Sequence, residues 1–250
     1  MSTMAKTYRT LVFKIQALTN LHAGSGDSFY GAVDKLVQRD AATRRPTIHS
    51  HSLKGALREY FESELGFVKG TKDQKDFVTH VFGSAVSGDA NDAKPGNFRF
   101  FSADLLALPV PDENPTSNVA FHSCSSEAVW THFAQKTQLL NGTGWTADKL
   151  KTAFAGGNTF TMDAQKFKEA TEELPVVARN QLNNGESQNL WYEELVPHES
   201  VFGFLMQADD TLQEAEFTGK LDGKVVQIGA NASVGYGYCL ITLLNPTVKS

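Results

Sequence analysis

Glycines, a carboxylate and a run of cations crowd one stretch of the chain: LHAGSGDSFYGAVDKLVQRD, Leu21 to Asp40, and then AATRRPTIHSHSLKGALREYF. Glycine-rich loops that lead into helices bring backbone amides to phosphates. The phosphate belongs either to a nucleotide cofactor or to a nucleic acid backbone. The dinucleotide fingerprint G-x-G-x-x-G fits at Gly24 and Gly26 but meets Phe29 at its third glycine. Gly26 and Gly31 have the P-loop separation, yet Ala32 and Val33 stand where lysine and serine or threonine must hold phosphate and Mg²⁺. GSGDSFYG contains no nucleophile elbow. His49 and His51 bracket Ser50 with no evident third ligand, so a structural zinc site is not supported.

A polymeric phosphate remains. Lys54 and Arg58 lie four apart and share one face near the start of a predicted helix, whose first amides add to their field. Ser52 is placed to cap that helix and donate to a phosphate. The bland alternatives are an Arg58–Glu62 pair one turn on and a purely structural cap. Net charge is −5, but the window Asp34 to Arg58 carries +4, leaving −9 to the rest. Such polarisation suits a chain that holds an anion on one face and keeps a solvated remainder.

Several elements must position these groups. Tyr8 to Leu21 alternates apolar and polar residues and is rich in β formers, which predicts an opening strand. Leu53, Leu57, Tyr60, Phe61 and Leu65 recur at helical spacing. Gly55 in that helix costs up to about 1 kcal/mol against alanine, and close approach of another backbone is the expected offset. FRFFSADLLALPV reads as strand, SEAVWTHFAQKTQLL as helix, and Asn184-Gly185 joins two extended runs as a hairpin. ESVFGFLMQ and VQIGANASVGYGYCLITLL read as late strands, whereas Val86 to Asn97 is a loop by composition. Asn141 to Glu173 mixes turns with one short helical piece. This order predicts an α+β fold with helices on one side of an antiparallel sheet.

At 250 residues with 41% hydrophobic and 20% charged content, the chain can bury a substantial core. The opening residues show no apolar signal-peptide core, and no run reaches the roughly 18 apolar residues that cross a bilayer. The cysteines, Cys124 and Cys239, fit no metal or redox spacing, so a reducing cytoplasm is the expected setting.

The glycine loop and the PTIHSHSLKGALR run together resemble the first signature of the RAMP superfamily of CRISPR effector subunits, with Pro46, Ile48, Ser52, Leu53, Lys54, Gly55 and Arg58 in its places. His51 stands where a first serine is common. Phe98, Phe100 and Asp104 resemble the family's second block, and GANASVGYGY its C-terminal glycine loop, with Ala230 and Ser233 as departures. LWYEELVPHESVF is similar to the type III-B (Cmr) backbone RNase subunits, whose nearest rival is the type III-A equivalent.

The resemblance implies a ferredoxin-like (RRM-like) core in a single domain over 1–250, with segments near 66–97 and 141–190 as peripheral or thumb insertions. Implied partners are CRISPR RNA, complementary single-stranded target RNA, further copies in a filament and other Cmr subunits, with no membrane. The implied activity is target-RNA cleavage at regular intervals, aided by Mg²⁺ or another divalent cation. Asp34 matches the cutting aspartate and is the implied metal ligand; His22 shares its loop. Tyr192, Glu193 and Glu194 match a block near the scissile phosphate. Arg39, Ser52, Lys54 and Arg58 are the implied phosphate contacts, with Gly235 and Gly237 allowing close RNA approach. A backbone subunit that only holds RNA, and a repeat-processing RNase of the same superfamily, are the rivals.

Overall fold

A computed structural model of the chain describes residues 7–28, 33–84, 94–114, 116, 118–155, 159–184, 186–209 and 211–245. The strands in chain order are β1 (Arg9–Ala17), β2 (Gly24–Ser28), β3 (Lys35–Val37), β4 (Thr47–Ile48), β5 (Arg99–Phe100), β6 (Ala103–Pro111) and β7 (Phe121–Ser125). They continue with β8 (Thr159–Thr161), β9 (Val176–Asn183), β10 (Glu186–Glu194), β11 (Val201–Ala208), β12 (Lys224–Gln227) and β13 (Tyr238–Leu244). The helices are α1 (Ser50–Glu59), α2 (Lys72–Phe82), α3 (Glu127–Leu139), α4 (Ala147–Ala155), α5 (Ala164–Glu172) and α6 (Thr211–Leu221).

The main sheet runs β12-β13-β1-β11-β6-β7-β8, with β4 beside β6 and β5 beside β11. Its centre follows the chain as β1–α1–β6–β11–α6–β13 in the spatial order β13-β1-β11-β6, with antiparallel neighbours. These are two interleaved split β-α-β units. Phe13 of β1 lies opposite Phe204 of β11, and the two rings stack at 4.8 Å. Onto this pair close Phe217 of α6, 6.4 Å from Phe13, and Phe61, 5.2 Å from Phe217. Phe77 and Phe82 of α2 complete that aromatic layer. The segment 66–97, expected at the periphery, therefore sends α2 into the core.

Adjacent strand residues face opposite sides, and Lys14, next to Phe13, donates to the Phe154 carbonyl of α4 at 2.7 Å. On that second face Trp130 and Phe133 of α3 pack with Phe154. A Cβ on Gly203 would stand 2.7 Å from Phe133, so this glycine admits the helix. Helices thus cover both faces, not one as the sequence order suggested. Burial of all of β11 accounts for its unbroken apolar run.

A second, four-stranded sheet runs β2-β3-β10-β9. The predicted hairpin is present as β9–β10, paired from Glu186↔Asn183 to Glu194↔Val176. Its turn residue Gly185 lies outside the described residues, as do most of the loop predicted from Val86 to Asn97 and the third-glycine position Phe29. Between Asn141 and Glu173 the chain forms α4, β8 and α5 rather than one helical piece.

Candidate active site

The site lies where the two sheets meet. Leu21, just past β1, bridges to Val196 just past β10, and Gln38 donates its backbone N–H to the Ala23 carbonyl. The loop after β1 is thereby fixed against the end of the hairpin. Successive residues of β10 then present two carboxylates to opposite sides.

Glu194 is 5% exposed. One oxygen accepts the Val37 backbone N–H at 3.0 Å, and the other meets the Arg39 guanidinium at 2.5 Å. Arg39 also donates to the Thr171 carbonyl at 2.8 Å and the Arg44 carbonyl at 2.9 Å. Arg39 and Glu194, expected at the RNA and the scissile phosphate, are instead satisfied by each other and tie the second sheet to α5.

Glu193 is 1% exposed and turned the other way. Its Oε2 accepts from Asn231 Nδ2 at 3.0 Å and lies 2.6 Å from Arg179 Nε, an ion pair without hydrogen-bond alignment. Arg179 stacks over Tyr236 at 4.6 Å. Oε1 of Glu193 is left facing His22 Nε2 at 3.5 Å. His22 Nδ1 lies 2.7 Å from the Glu194 carbonyl. A carbonyl only accepts, so Nδ1 carries its hydrogen and Nε2 is the nitrogen free to exchange a proton. A Cβ on Gly24 would sit 3.0 Å from that Nε2, which is why glycine borders the histidine.

Asp34 is exposed, and β10 fixes it twice. Its backbone N–H donates to the Tyr192 carbonyl at 3.0 Å, and its Oδ2 accepts the Tyr192 N–H at 2.7 Å. Oδ1 has no partner among the described residues. Next to it the Lys35 ammonium sits 4.8 Å from the Trp191 ring centre. His22, Asp34, Lys35, Glu193 and Asn231 all line one open cavity of about 550 Å³. A carboxylate oxygen, an imidazole nitrogen and an ammonium thus share one cavity. The exposed Tyr192 side chain contributes through its backbone.

The remaining expected contacts lie elsewhere. α1 begins at Ser50 with His49 as its uncapped flanking residue, so Ser52 does not cap it; Ser52 Oγ accepts from Gln38 at 2.8 Å. Arg58 pairs with Glu62 at 2.9 Å, the bland alternative. Lys54 has no ion-pair partner among the described residues, and burial, then Arg58, push its ammonium below the ordinary value. A Cβ on Gly55 would meet nothing within 4 Å, so among the described residues no approaching backbone explains that glycine. Gly235 (φ +83°) is likewise open. A Cβ on Gly237 (φ +79°) would fall 2.1 Å from the Ile228 carbonyl oxygen, which makes it a turn glycine.

Among the described residues no group of three or more His, Cys, Asp and Glu side chains is arranged to ligate a metal. The single free oxygen of Asp34 fits an ion that keeps most of its waters, as Mg²⁺ does, and not a protein cage. Sequence reasoning missed Arg179 and Asn231. Arg179 sits in no motif and Asn231, inside the C-terminal glycine loop, carries no signal of its own; only the fold brings β9 and that loop to Glu193.

Two interleaved split β-α-β units carry a buried histidine–carboxylate pair beside an exposed aspartate, and residues 14–240 match the RAMP superfamily. The chain belongs to that superfamily. It is 25% identical to the Cmr endoribonuclease Cmr4 of Pyrococcus furiosus, over 93% of this chain and 95% of that one. It is 32% identical to the Csm3 endoribonuclease of Enterococcus italicus, over 44% of this chain and 58% of that one. Its fold superposes on a chain of a type III-B Cmr-beta complex bound to cognate target RNA with a TM-score of 0.76, at 17% identity, covering 94% and 97% of the two chains. Oligomeric Cmr4 from P. furiosus superposes with a TM-score of 0.69, at 20% identity, covering 95% and 99%.

Proposed function

We propose that this chain is the repeated backbone subunit of a type III-B CRISPR effector complex, binding CRISPR RNA and cutting complementary target RNA in a reaction that needs a divalent cation. The observation that carries the reading is the cavity that His22, Asp34 and Glu193 share, on a chain similar to Cmr4 along nearly its whole length. The III-A alternative rests on Csm3 likeness over less than half of the chain.

RNA brings its own nucleophile, so the protein must align it and move two protons. Asp34 Oδ1 accepts the proton of the 2′-OH. The 2′-oxygen bonds to phosphorus as the bond to the 5′-oxygen breaks. His22 Nε2 supplies a proton to that leaving oxygen, and Glu193 steadies the imidazolium. Products are a 2′,3′-cyclic phosphate and a 5′-OH. A hydrated divalent ion on Asp34 would supply charge neutralisation at the phosphate. Lys54 and the open face at Gly55 are the remaining candidates for guide-RNA backbone contact.

The test is target cleavage by the reconstituted guide-loaded complex, wild type against Asp34→Ala, each with Mg²⁺ and with EDTA. Regularly spaced products that vanish in the variant and in EDTA, while target binding persists, are expected. Binding without cleavage by the wild type would make the subunit a scaffold.

A further inference from the structure

Away from the cavity, a second cleft of about 320 Å³ opens between the loop after Asp40, the start of α3 and α5. Arg45, His132, Lys168, Thr43 and Ser126 line it. Every carboxylate near it has another task. Asp40 accepts from the Thr43 hydroxyl at 2.8 Å and from the Thr43 amide at 2.7 Å. Asp104 pairs with Lys136 at 2.7 Å, Glu127 with Lys151, and Asp163 caps α5. Lys168 has only Glu172, at 3.9 Å.

Among the described residues no carboxylate lies within ion-pair distance of Arg45. Burial, opposed by the more distant Asp104 and Asp40, pushes its guanidinium below the ordinary value. Its one polar side-chain neighbour is His132 Nδ1 at 3.4 Å. A guanidinium only donates, so Nδ1 accepts and the remaining ring N–H of His132 is a further donor. Ser126, the residue before α3, is 3% exposed, lines the cleft and does not cap the helix with its hydroxyl. The cleft therefore gathers a guanidinium without a carboxylate partner among the described residues, an ammonium, the Ser126 hydroxyl and the first amides of a 13-residue helix. All of them donate, which is the chemistry of a tetrahedral oxyanion.

We propose that this cleft seats one phosphodiester of an RNA strand, apart from the cutting cavity and from the α1 face. The proposal rests on the RNA-binding reading above. The loop that carries Arg45 continues directly from β3, the strand next to Asp34. A strand leaving the cavity along this loop would find the cleft as its next phosphate site.

The test measures guide-RNA binding by the full-length chain across a salt series, for wild type, Arg45→Ala and Lys168→Ala. Melting curves check that each variant folds; Lys168 is half-exposed, so its replacement leaves packing intact. Each variant should bind several-fold more weakly whatever the RNA sequence, with the salt slope reduced by about 0.7 to 1. A parallel titration uses inorganic phosphate alone. Variants that match wild type in slope and affinity overturn the proposal. Unchanged RNA binding with loss of phosphate binding overturns it too, since the cleft then takes only the free anion. Failure of the wild type itself to bind RNA would sink the functional reading beneath it, a result distinct from either.

Discussion

At the scale of single residues, the site is built by filling every oxygen but two. Both oxygens of Glu194 and Oε2 of Glu193 are taken, leaving Glu193 Oε1 to His22 and Asp34 Oδ1 to the cavity. Removing a buried charge from such a group strands its partners. Glu193→Gln keeps the volume but leaves Arg179 and His22 without their counter-charge. It should cost on the order of 2 to 4 kcal/mol in chemical denaturation and lower single-turnover cleavage, with target binding retained. Gly24→Ala separates position from stability. The new methyl would press on His22 Nε2 from 3.0 Å, so the ring must shift by a few tenths of an ångström. Cleavage should fall while stability changes by less than about 1 kcal/mol. Unaltered cleavage would show that the ring's place does not matter to the reaction.

At the scale of elements, legibility followed the strength of local periodicity. β1, α1 and α3 carried an apolar pattern long enough to be seen in the sequence, and β9–β10 was marked by its Asn-Gly turn. α4 and α5 have nine residues each and bury little beyond Leu150, Phe154 and Phe167, too short a pattern to read. β2, with the sequence GSGDS, has no strand signal at all; its pairing is imposed by β3. Asp34 and His22 were legible only through family likeness, and Arg39 misled because a cation in a basic loop looks alike whether it faces RNA or a buried glutamate. The hairpin carries the prediction of this scale. From Glu186 to Leu190 β10 is exposed, whereas Glu193 and Glu194 at its base are buried. Replacing 181–189 with a two-residue turn should therefore move the melting temperature by no more than about 2 °C, because little apolar surface is lost. If the tip acts as a thumb on the guide–target duplex, regular spacing of the cleavage products should be lost in the same variant. Unchanged products would assign the thumb to another segment.

At the scale of the whole molecule, the main sheet has two ends that differ in how firmly they are held. Cys239 is fully buried on β13, between β12 and β1, and burial pushes its thiol up to about 12. Cys124 is 5% exposed on β7, between β6 and the short edge strand β8, and burial raises its thiol as well. Both thiols are raised above the unfolded value of 9.0, so their contribution to stability is complete below that pH and is lost as pH rises above it, for Cys239 toward about 12. At pH 8 neither native thiol is a nucleophile, and alkylation must follow opening. β8 has only three residues, whereas β13 pairs over six residues with the nine-residue β1 as well as over four with β12. Local opening at the β7–β8 end should then expose Cys124 without unfolding the rest. Iodoacetamide labelling followed by mass spectrometry should show Cys124 modified first and Cys239 only at the rate of global unfolding. Adding denaturant below the transition should speed Cys239 steeply and Cys124 little, since the slope reports the surface exposed. Simultaneous labelling would mean that the aromatic layer around Phe217 and the α3–α4 face unfold together, and that the sheet opens as one unit.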